Sequence, residues 1–82
     1  SDHDFLLTEA PFSTDLIITQ VPDRNSEMLA WLRKEKILPG CKITLISKDK
    51  FGDSVVISLK NNEKRLAFSV ANQIHVSLEV DT

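Results

Sequence analysis

The feature that most constrains this chain is a set of short apolar–polar alternations, none of them long enough to form a structure alone. Val55, Ile57 and Leu59 alternate with Val56, Ser58 and Lys60, and Ile74, Val76, Leu78 and Val80 alternate with His75, Ser77, Glu79 and Asp81. A period of two puts each set on opposite faces of a strand, so both segments read as half-buried β-strands. Lys42-Ile43-Thr44-Leu45 begins another alternation, which runs into a polar turn over residues 48–53. The Asn61-Asn62-Glu63-Lys64 stretch reads as a tight hairpin turn, because asparagine tolerates positive φ, and Leu66 and Phe68 return from it as a short strand. Residues 16–21 are short, β-branched and closed by Pro22, which gives the first strand of the set. Three or more such strands must share a core before any is stable.

One stretch breaks the pattern. From Glu27 to about Lys36 the spacing is helical, with Met28, Leu29 and Leu32 on one stripe and Trp31 widening it as a core or arm-packing residue. Asn25 or Ser26 supplies the N-cap, Glu27 suits the positive end of the helix dipole, and Arg33, Lys34 and Lys36 suit the negative end. Pro39-Gly40 then forces a turn. Ser69-Val70-Ala71-Asn72 reads as a single helical turn capped by Ser69. Residues 1–14 are polar apart from Phe5, Leu6, Leu7 and Phe12 and are broken at Pro11, so they read as an N-terminal arm on a domain of residues 15–82. The expected fold is therefore mainly β: five short strands with one short α-helix after the first, closing into a small, partly open barrel that hides its strand edges.

Function classes are narrowed mostly by exclusion. Ten Lys plus Arg against twelve Asp plus Glu leave a net charge of −2, which offers no basic footprint for direct DNA or RNA contact. The Arg33 to Lys36 cluster, with Lys42 near it, reads as a solvated helix end interrupted by Glu35. No run approaches the ~18 apolar residues that span a bilayer, and no apolar run follows a basic start as in a signal peptide. A single cysteine, Cys41, excludes a disulfide scaffold and a thiolate zinc cluster and reads as a small residue filling a core position after Pro39-Gly40. With two histidines and two glycines there is neither a nucleophile–base pair nor a phosphate-cradling loop, so no enzyme is expected.

Metal binding leaves more to weigh. His75 and Glu79 share a strand face but stand about 13 Å apart at strand rise, too far for one ion. His3 between Asp2 and Asp4 has the composition of an adventitious metal tether. Asp23 and Glu27, in the loop and the first helical turn, offer oxygen ligands to an ion held mainly by another domain, or act as a cap and a solvated charge. No complete metal site is expected from this chain alone.

The ordered set Glu27-Met28-Leu29-Ala30-Trp31-Leu32, Ile37-Leu38-Pro39-Gly40, Phe51-Gly52-Asp53 and Ala71-Asn72-Gln73-Ile74-His75-Val76 resembles the FeoA-type SH3-like domain over residues 16–80. It is most similar to the C-terminal domain of iron- or manganese-dependent transcriptional repressors of the diphtheria-toxin-repressor type. One departure is Lys36, where the family usually has glycine, which puts the shape of the helix exit in question. The resemblance implies an SH3-like barrel with a cytoplasmic, regulatory role. It modulates metal response and domain arrangement without touching DNA, and its partners are the other domains of the same repressor. Fe²⁺ or Mn²⁺ belongs to that parent protein and no cofactor to the isolated domain, with Asp23 and Glu27 as ancillary metal ligands only. The same domain type also occurs as the standalone ferrous-iron transport protein A, whose partner is the cytosolic part of the FeoB transporter. A generic peptide-binding SH3-like module is the third reading, disfavoured by five aromatic residues and no tyrosine. Ser1-Asp2-His3-Asp4 without an initiator Met favours a domain cut from a longer repressor.

Overall fold

The structure, a computed structural model, describes residues 4–79. His3 of the expected metal tether, and Val80 and Asp81 of the last alternation, lie outside the described residues. Strands β1 (Phe5–Leu6), β2 (Asp15–Gln20), β3 (Lys42–Asp49), β4 (Ser54–Leu59), β5 (Asn62–Ala67) and β6 (His75–Leu78) form one sheet in the order β1-β6-β2-β3-β4-β5. Every neighbouring pair is antiparallel. Helix α1 (Ser26–Lys34) follows β2, a 3₁₀ turn (Leu7–Glu9) follows β1, and the one-turn helix α2 (Phe68–Ala71) joins β5 to β6.

The core is the inner face that the alternations foretell. Leu16, Ile18, Ile43, Leu45, Val55 and Ile57 are essentially inaccessible, and Leu32 and Ile37 close over them from the helix and its exit. Burying each such aliphatic side chain contributes about 1.5–3 kcal/mol, so this shared cluster, and no single strand, stabilises the domain. The fold class is mainly β and SH3-like as expected, but it has six strands where the sequence suggests five. The sixth is Phe5–Leu6, which pairs with β6 through Phe5↔Val76 and Leu6↔His75. Its two residues, followed directly by the apolar Leu7 of the 3₁₀ turn, show no alternation. Only long-range backbone bonding to β6 (including Leu7 N–H to the Ile74 carbonyl, 2.9 Å) makes it a strand.

Local details shift in the same way. The β4–β5 turn is the two-residue Lys60-Asn61, both at positive φ (51° and 67°), with Leu59 paired to Asn62. The turn thus starts one residue before the expected stretch and shares only Asn61 with it, since Asn62, Glu63 and Lys64 pair with β4 as part of β5, and two left-handed residues match the strand twist. Helix α2 begins at Phe68, and Ser69 lies inside it and does not cap it. The Phe68 N–H is taken by the Asp53 carbonyl at 2.8 Å, and the helix starts two residues earlier than a Ser69 cap would place it. Trp31 is 40% exposed and is not a core residue. It follows a turn angle of about 100° from Leu32, and the stripe that faces the sheet is centred on Leu32.

The helix exit resolves the Lys36 departure. Lys36 sits at φ 65°, with its N–H bonded to the Arg33 carbonyl and the Ile37 N–H bonded to the Leu32 carbonyl. These two bonds, with Leu32 and Ile37 both fully buried, are a Schellman ending in which lysine occupies the left-handed position that favours glycine. The exit keeps its shape, at a conformational cost that glycine would not carry.

Candidate functional site

Where β2 ends, the chain must leave the sheet and turn into α1, and that departure opens a cleft. Pro22 has no N–H to continue the ladder, and Asn25 stops the loop by accepting the Met28 N–H at 3.0 Å through its side-chain oxygen. Facing this loop is the junction of α2 and β6. The two walls enclose a cleft of about 350 Å³ lined by Gln20, Val21, Pro22, Asp23 and Arg24 on one side and Asn72, Gln73 and His75 on the other. Val21 is buried at its base. Arg24 and Asp23 oppose each other in charge, so the lining is near neutral and dominated by amides. Two of those amides are engaged: Gln73 Nε2 donates to the Ser69 carbonyl at 3.0 Å, and Asn72 Oδ1 accepts from Thr8 Oγ1 at 3.5 Å.

The residues singled out from sequence separate here. Asp23 lines the cleft, whereas Glu27 projects from the first turn of α1 and is exposed outside the lining. Neither carboxylate is tied to a partner among the described residues, where no group of three or more His, Cys, Asp and Glu is placed to hold a metal. His75 lies on the opposite strand face to the buried Val76 and lines the cleft, while Glu79 is ion-paired with Lys42 at 3.0 Å. Cys41 is half-buried against the core, and its thiol donates to the Lys36 carbonyl at 3.5 Å. Arg33, Lys34 and Lys36 are exposed at the helix end.

Sequence reasoning missed that Gln20, Gln73 and His75 share a site with Asp23. They meet because Gln20 pairs with His75 across β2 and β6. A contact between residues so far apart leaves no local signature in either segment.

The chain is similar to known proteins in two ways. The profile of the FeoA domain family matches residues 5–78. Among solved structures, that of ScaR with bound Zn²⁺ superposes with a TM-score of 0.83 at 28% identity, covering 96% of this chain and 39% of that one. A manganese-dependent transcriptional repressor superposes at 0.85 with 13% identity, covering 93% of this chain and 42% of that one. A structure described as an iron uptake regulatory protein (FeoA) superposes at 0.77 with 16% identity, covering 90% of this chain and 96% of that one. The latter two, at such identity, show the fold alone. No curated protein matches the sequence. The chain spans about two fifths of the length of the repressors it matches.

Proposed function

Because the chain belongs to the FeoA domain family, we propose that it is the C-terminal regulatory SH3-like domain of an iron- or manganese-dependent transcriptional repressor. The observation that carries this reading is the likeness to ScaR, 28% identical over 96% of this chain yet covering only 39% of the repressor. A domain of this size, with a net charge of −2, is suited to modulate a DNA-binding neighbour rather than to contact phosphates itself. Its work is done by packing against the other domains of the cytoplasmic parent protein. There it biases their arrangement and lends oxygen donors to an ion that they chiefly hold.

Asp23 and Glu27 fit that ancillary role. Both carboxylates are exposed at the same end of α1, and neither is committed to a partner among the described residues. Oxygen ligands of this kind suit Mn²⁺ and Fe²⁺. The metal itself supplies the signal when bound; the chain's own contribution is to place these two carboxylates and hold them with the Asn25 cap.

The test is a chimera. This chain replaces the matching domain of ScaR, and operator binding is followed by fluorescence anisotropy during an Mn²⁺ titration. Metal-dependent binding distinct from that of a ScaR truncated before the domain is expected. The double substitution Asp23→Asn and Glu27→Gln is expected to raise the Mn²⁺ midpoint by about tenfold. A chimera indistinguishable from the truncated protein overturns the reading. A second reading, the standalone ferrous-iron transport protein A, is favoured by one observation: this chain covers 96% of a FeoA structure. Saturable binding to the cytosolic part of the FeoB transporter, with an inert chimera, would decide for it.

A further inference from the structure

Among the described residues, three buried side-chain polar atoms have no hydrogen-bond partner: Asp4 Oδ1, Thr19 Oγ1 and His75 Nδ1. They are not scattered. His75 is flanked by Leu6 of β1 and by Gln20 of β2, and the register shift between Ile18 and Gln20 leaves Thr19 as the extra residue beside it. Val76, with Phe5 and Ile18 paired to it, faces the core, so strand alternation turns His75 to the opposite face. Asp4, one residue before Phe5, falls on that same outer face, and so does Thr19, one residue after Ile18. A carboxylate, a hydroxyl and an imidazole thus lie on one face of three neighbouring chain segments, Thr19 beside His75 and Asp4 diagonal to it across β1, and each residue is half-buried.

Leaving such groups unmet is costly, roughly 1–3 kcal/mol for each neutral polar atom and more for a charged one. A carboxylate and an imidazole lone pair are both satisfied by a cation, and hydroxyl and carboxylate oxygens beside an imidazole nitrogen form the donor set of borderline divalent metals. His75 also lines the cleft together with Gln20 and Asp23. We propose that Asp4, Thr19 and His75 form a divalent-cation site on the outer face of β1, β6 and β2. The site uses neither the Asp23 nor the Glu27 carboxylate, although His75 also borders the cleft that Asp23 lines, and it stands whether or not the chain belongs to a repressor. The regular β2–β6 register would already set Thr19 opposite His75, and the bulge moves the pairing to Gln20 while leaving Thr19 as the extra residue beside the histidine.

The test uses the full chain with Mn²⁺ and Zn²⁺ alone. Substoichiometric Mn²⁺ is expected to broaden the amide NMR signals of residues 4–6, 19–20 and 75–77 before those of residues 23–27. Zn²⁺ calorimetry is expected to show one saturable site, weakened about tenfold or more by His75→Gln and by Asp4→Asn, and less by Thr19→Val. His3→Ala is expected to leave this site intact. The proposal is overturned if broadening centres on residues 23–27, if binding is lost in His3→Ala but kept in His75→Gln, or if no saturable binding occurs. Well-dispersed spectra of Thr19→Val, a near-isosteric change, guard against a variant that fails through unfolding.

Discussion

Strand β6 presents two faces with opposite demands, and the contrast between them organises the molecule. On the inner face Val76 is fully buried, packed with Ile18 and Phe5 of the flanking strands into the common core. One residue earlier, His75 is half-buried on the outer face that Thr19 and Asp4 share, and each of the three carries a buried polar atom without a partner among the described residues. The inner face is interchangeable in chemistry and exacting in volume, as close packing requires. The outer face is the reverse, since what matters there is which donor atoms stand next to one another. Stability and binding should therefore respond to different substitutions, only a few ångströms apart.

The largest expected effect comes from the inner face. Ile18→Ala should cost about 2–5 kcal/mol, lowering Tm in calorimetry by roughly 10 °C or more. A loss below 1 kcal/mol would mean that β2 does not share the core. On the outer face, His75→Gln should change stability by less than about 1 kcal/mol, while its cation affinity falls as described above. Equal losses on both measurements would erase the contrast.

Helix α1 supplies intermediate cases that belong to neither face. Asn25→Ala removes the side-chain acceptor of the Met28 N–H and should cost about 1 kcal/mol in urea unfolding. Lys36→Gly should instead stabilise by about 0.5–1 kcal/mol. Relief of the left-handed strain at φ 65° outweighs the greater freedom of glycine in the unfolded chain. A destabilised Lys36→Gly variant would show that the lysine side chain contributes more than its backbone costs. The smallest effect should come from Phe51→Ser. Phe51 is fully exposed at the tip of the β3–β4 turn, and the Asp49 side chain holds that turn through the backbone N–H groups of Phe51 and Gly52. A change beyond about 0.5 kcal/mol there would mean that exposure alone does not make a site neutral.

Much of this was legible residue by residue. The alternation of Val55, Ile57 and Leu59 correctly set the inner face of β4, and the helical stripe of Met28, Leu29 and Leu32 set the side on which α1 packs. Asn25 was one of two caps that the sequence allowed. Phe5–Leu6 was not legible as a strand, because its pairing lies entirely with β6. The cleft residues were legible only singly. Asp23 stood out as a carboxylate in a loop and His75 as a polar-face residue, but nothing local says that Gln20 lies across from His75.

What the sequence by itself determined is periodicity: which residues turn inward, where the helix begins, and that the domain is mainly β. Those features follow from interactions within a few residues, governed by strand and helix geometry and by capping. The tertiary structure alone decided the sixth strand, the start of α2 at Phe68, and the placing of Asp4, Thr19 and His75 on one face of neighbouring segments. The physical reason is the same in each case. Backbone hydrogen bonds and the register shift beside β6 are made between segments distant in the chain, and their partners are chosen only when the shared core closes.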